Sequence, residues 1–155
     1  MDDVKMARAQ KVYDALCATL DSHDWKYDKK DDFTIESGSQ GDDLPMDVTM
    51  RIDVKSQLFL LFSHLPFTIS EDKRLDAAIA VSIVNNDLVD GCFDYDIATG
   101  HMFFRMTSSF VESEISGELM MFLMIVSFRT IDEYNDKFLM LDKGVLSIED
   151  FISKD

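Results

Sequence analysis

Apolar and polar positions along the chain change rhythm several times, and those changes mark out its elements. From Val4 to Leu20 the apolar residues Ala9, Val12, Tyr13, Leu16 and Leu20 recur at spacings of three and four, which places them on one face of a helix. Asp24 to Tyr27 suggests a short strand, and Asp28-Lys29-Lys30-Asp31-Asp32 reads as a solvated turn. Phe33 to Ser37 alternates as a strand does, and Gly38 to Pro45, GSQGDDLP, is a loop. Met46, Val48, Met50 and Ile52 then alternate with Asp47, Thr49, Arg51 and Asp53, predicting a strand with one wet face. Gln57 to Phe62, QLFLLF, is apolar on both faces and therefore belongs in the middle of a sheet. Three strands joined by short loops form an antiparallel meander.

Ser70 followed by Glu71 and Asp72 predicts a helix start, a side-chain cap with two carboxylates near the positive end of the helix dipole. Leu75, Ala78, Ile79, Ser82 and Ile83 supply its expected buried face, and Asn85 and Asn86 loosen its end. Gly91 to Asp96 and His101 to Met106 read as two strands joined across Ile97 to Gly100, where Gly100 is free to take a positive φ. Ser113, Ser116 and Glu118 open a long helix that runs to Leu139 or Met140, with Gly144 as its stop. Ser147 to Asp150 resembles a weak capping sequence for a short final helix. The order is α-β-β-β-α-β-β-α, which predicts an α+β fold, an antiparallel sheet covered by helices. One domain over residues 1–141 is expected, with a tail at 142–155.

Composition narrows the function. At 155 residues the chain suits one domain, which at this size buries roughly 68–70% of its unfolded surface. Asp2, Asp3, Lys5 and Arg8 argue against a secretory leader, and the longest apolar run, Leu119 to Val126, falls far short of the ~20 residues that span a bilayer. The expectation is a soluble, cytoplasmic protein. Its net charge of −15 is spread evenly, each of residues 1–55, 56–100 and 101–155 carrying −5. Such a surface repels phosphate backbones and anionic lipid, so nucleic acid and membrane are poor partners. Cys17 and Cys92, 75 positions apart, are expected to be free thiols.

No catalytic or metal-binding pattern emerges. His23, His64 and His101 are too far apart in sequence for a zinc motif. Asp87, Asp90, Asp94 and Asp96 fail the calcium-loop test. Starting at Asp94, Thr99 and Arg105 occupy the positions that need glycine and glutamate, and starting at Asp90 the glycine position holds Tyr95. Ser63 and His64 are adjacent and face opposite ways on a strand, and the six glycines never form a phosphate cradle. No metal or cofactor is expected, and no enzyme activity. The stretch that does stand out is LMMFLMIV, Leu119 to Val126, apolar on every side where a helix on a sheet needs a stripe only roughly 100° wide. Either it is buried between the sheet and another element, or part of it faces a partner or a second copy. Met120, Met121 and Met124 suit the second use because methionine adapts to varied surfaces.

Asn85-Asn86, Gly91-Cys92-Phe93-Asp94-Tyr95 and Gly100-His101-Met102-Phe103-Phe104-Arg105 resemble the YbjN-like family of small bacterial proteins. The element order and the long final helix through Tyr134 and Phe138 agree with it over roughly residues 4–140. The family's fold is similar to that of type III secretion chaperones, small acidic homodimers that bind segments of client proteins. The resemblance therefore implies a non-catalytic, regulatory or chaperone-like domain, often dimeric, and carries over no catalytic residue. In those chaperones the middle helix and the following strand build the dimer contact, here Leu75 to Leu88 and Gly91 to Tyr95. The expected function is a protein-binding module acting as a homodimer, with Met120, Met121, Met124, Ile79 and Ile83 as candidate interface residues. The alternative is a small-molecule sensor with a pocket between sheet and helices lined by Phe59, Phe93 and Phe104.

Overall fold

In the computed structural model, which describes residues 2–152, α1 (Asp3–Ser22) precedes four strands, β1 (Asp28–Asp31), β2 (Thr34–Gln40), β3 (Pro45–Asp53) and β4 (Leu58–His64). A 3₁₀ turn (Glu71–Lys73) leads into α2 (Arg74–Asp87), then β5 (Cys92–Asp96), β6 (His101–Ser109), α3 (Gly117–Asp142) and α4 (Ile148–Ile152). The strands form one antiparallel sheet in the order β1-β2-β3-β4-β6-β5. The predicted α+β class and order hold, with one added edge strand. Lys29 and Asp31 of that strand pair with Ile35 and Thr34, so the segment expected to be a solvated turn is a strand instead. Its DKKD sequence is exposed throughout, which hides it from any reading based on apolar alternation. Charges on an exposed edge also discourage pairing with another chain.

The period of two in β3 sets the layers. Met46, Val48, Met50 and Ile52 point inward with Phe59 and Leu61 of β4 and Met102, Phe104 and Met106 of β6. Against this face lie Leu16 and Leu20 of α1, Ala77, Ala80, Val81 and Val84 of α2, and Met120, Met124, Phe128, Ile131 and Phe138 of α3. β4 lies between β3 and β6, as its apolar sequence requires.

The buried face of α2 differs from expectation. Ala77, Ala80, Val81 and Val84 meet the sheet and α3, while Leu75 and Ile79 are 71% and 48% exposed. Both faces of α2 have helical apolar spacing, so periodicity could not choose between them. The two alanines let the helix approach closely, and that decides it. Ser70 does not cap α2 with its side chain. Its backbone N–H donates instead to Asp142 Oδ1 at 2.7 Å, tying the end of α3 to the start of α2. Burial works to raise the Asp142 carboxyl, but the hydrogen bonds from Ser70 outweigh it and hold the group below the usual aspartate range. α3 is capped by Ser116, whose Oγ accepts from the Leu119 N–H at 3.1 Å, and continues to Asp142, two residues past the predicted end. The tail is not detached: Phe151 of α4 stacks on Phe138 at 5.7 Å. Both cysteines are free, Cys17 buried and Cys92 half-buried. Among the described residues no helix is long and apolar enough to cross a membrane.

Candidate interaction surface

All three long helices occupy one side of the sheet, and among the described residues no element covers the other side. Register places one residue from each strand in a single row across it: Asp28, Glu36, Thr49, Phe62, Arg105 and Cys92. The adjacent row holds Thr34, Arg51, Leu60 and Thr107. Leu58, Leu60 and Phe62 of β4, with Phe103 of β6, form an apolar spine along the middle of this face. They are half-buried although no layer of the described residues covers them. Their cross-strand neighbours account for that, since Arg51 stands opposite Leu60 and Arg105 opposite Phe62, and long cationic side chains lay their stems over apolar surface.

At one end the spine becomes aromatic. The His64 ring lies 5.3 Å from Phe103 and 6.2 Å from Phe62, centroid to centroid. Arg105 forks onto Asp94, Nε to Oδ2 at 2.6 Å and Nη2 to Oδ1 at 3.3 Å, and Nη2 lies 3.8 Å from Cys92 Sγ. The Asp94 carboxylate holds the guanidinium pKa above its ordinary value, so this arginine is a fixed cation with its partner already in place. Among the described residues no three His, Cys, Asp or Glu side chains converge as a metal site would need.

The five candidate residues read from the sequence do not share one surface. Met120 and Met124 are fully buried and Met121 is 7% exposed, so these methionines belong to the core and not to an open interface. The run they sit in does face two ways, with Leu119 and Phe122 turned outward at 39% and 56% exposure. Adaptable methionines fill the irregular space between α3 and the sheet. Ile79 lies open on α2, whereas Ile83 is half-buried between α2 and α4. The sensor pocket imagined around Phe59, Phe93 and Phe104 is filled by the rings themselves, with Phe93 5.2 Å from both Phe104 and Phe138. Sequence reasoning passed over Leu58, Leu60, Phe62 and Phe103. Their signal was QLFLLF, apolar on both faces where a sheet covered on one side needs only one.

Three of the residues that carried the family resemblance, Asn85, Gly91 and Gly100, have structural roles. Asn85 does not loosen its helix. Its Nδ2 donates to the Phe93 carbonyl at 2.9 Å and its Oδ1 accepts from the Phe93 N–H at 2.8 Å, closing the β5 edge as a neighbouring strand would. Gly91 has φ +72°, and a Cβ there would lie 2.5 Å from Phe104 Cζ and 2.9 Å from the Arg105 carbonyl. Gly100 has φ +79° and packs against the Ile69 carbonyl.

No family model and no curated protein matches the chain. Among solved structures it is similar to the crystal structure of YbjN from E. coli, a proposed transcription regulator, with a TM-score of 0.57 and 12% identity over 78% of this chain and 86% of that one. The fold is YbjN-like. At that identity the likeness speaks for architecture alone, and it agrees with the fold that the resemblance implied.

Proposed function

We propose that this chain is a non-catalytic protein-binding module, regulatory or chaperone-like in role, acting as a homodimer. The observation that carries the reading is the uncovered sheet face, with its spine of Leu58, Leu60, Phe62 and Phe103 framed by polar and charged side chains. An apolar core inside a polar rim is the anatomy of a protein interface. The fold shared with a proposed transcription regulator supports a regulatory role. The dimer is supported by Leu75 and Ile79, one helical turn apart and open on α2.

Affinity capture from the native host tests the binding function. The wild-type chain retains a protein partner, and Phe62→Lys loses it. Capture of nothing but the chain itself argues against the module. Light scattering tests the dimer separately: a mass near 17.7 kDa at micromolar concentration defeats it, and twice that mass supports it.

A further inference from the structure

The uncovered face is not uniform in charge. On its β1–β3 side the sheet and the Leu65-Pro66 turn enclose an open groove of about 860 Å³, floored by Thr49, Phe62 and His64 and bordered by Asp28, Glu36 and Asp47. That volume lies within the roughly 300–1,000 Å³ of ordinary ligand sites. Among the described residues Lys26 is the one cation lining it, and Lys30 nearby pairs with Glu36 at 2.9 Å, which leaves Asp28 and Asp47 as the acids of the border outside that pair. Among the described residues no lysine or arginine lies within ion-pair distance of Asp47. In a chain of net charge −15, this border attracts cationic groups and repels acidic ones. A second copy is a poor occupant, because two-fold pairing across this face would bring Asp28, Glu36 and Asp47 toward the same acidic border on the partner.

We infer that the groove docks a basic segment of another protein, one in which lysine or arginine alternates with leucine or phenylalanine. The apolar side chains rest on Phe62 and the spine, and the cations reach Asp47 and Asp28. Alternation follows from geometry, since successive side chains of an extended segment point to opposite sides. The inference rests on the protein-binding reading above and adds the chemistry of the partner.

The test is fluorescence anisotropy with three labelled synthetic peptides, LKFKLKL, LEFELEL and SKSKSKS. Saturable binding of LKFKLKL roughly tenfold tighter than either other peptide is expected, weakening as salt rises. Asp47→Asn with Asp28→Asn weakens it roughly fivefold, Phe62→Ser weakens it further, and Phe122→Ser on the helical side leaves it unchanged. Circular dichroism establishes that each variant is folded, and the two exposed polar substitutions carry the test should Phe62→Ser not fold. Equal binding of LKFKLKL and LEFELEL, both lost in Phe62→Ser, overturns the basic preference while leaving the docking face in place. Peptide binding that no sheet-face variant alters overturns both. No saturable binding of any peptide overturns the inference, and the capture experiment then decides separately whether the chain binds protein at all.

Discussion

Replacing Asn85 by alanine removes both hydrogen bonds that close the edge of the sheet at β5. The carboxamide meets the Phe93 carbonyl at 2.9 Å and the Phe93 N–H at 2.8 Å, and Phe93 is only 2% exposed. Each bond contributes roughly 0.5–1.5 kcal/mol net, and a buried backbone group left without a partner costs about 1–3 kcal/mol. Some water will reach the widened edge, so a loss of roughly 2–4 kcal/mol is expected. For a domain of this size that lowers the melting temperature by roughly 4–16 °C. Urea denaturation followed by circular dichroism gives the difference directly, as a lower midpoint at unchanged slope. Asn85→Asp should do no better than alanine, because it keeps an acceptor for the N–H but sets a carboxylate against the Phe93 carbonyl. A loss below about 0.5 kcal/mol for Asn85→Ala, the scale of an ordinary surface change, refutes the reasoning.

Gly100→Ala should cost at least roughly 1–2 kcal/mol for its left-handed backbone alone, and more for the collision with the Ile69 carbonyl; a thermal melt matching wild type contradicts this. Met124→Glu should abolish the folded circular dichroism spectrum, since it buries a lone charge, whereas Phe122→Glu two positions earlier on the outward face should stay folded. Burial, reinforced by Cys17, pushes the Tyr13 phenol up to about 12. The folded chain thus keeps a proton that the unfolded chain releases above its ordinary value near 10. Stability is full below about pH 10 and falls as pH rises toward 12, by on the order of 2 kcal/mol from this group. Melting temperatures from pH 9 upward should show that decline, and Tyr13→Phe should reduce it.

Much of the architecture was legible because β3 and α1 each bury one face, and a single buried face leaves a period of two or of 3.6 in the sequence. Legibility failed where both faces or neither carry apolar residues. β1 has none to alternate, and its pairing comes from its neighbour β2. α2 has two apolar faces, and only tertiary fit selected the one with Ala77 and Ala80. The stretch from Leu119 to Val126 is apolar all round, but sequence alone does not say that its methionines turn inward while Phe122 turns out. The uncovered face was hidden for a related reason. A double-sided apolar strand such as β4 predicts a central position equally well whether the second face meets helices or is open to solvent.

Site-specific photo-cross-linking in the native host probes whether the uncovered face binds protein. A benzophenone amino acid is placed at Leu60 on the uncovered face, and in separate chains at Ile79 and Phe122 on the helical side. A heterologous protein adduct is expected from position 60, absent from the Phe122 chain, with self-adducts alone from position 79. Protein adducts arising only from the helical positions, or none from position 60 in cells where the chain is folded, would contradict it.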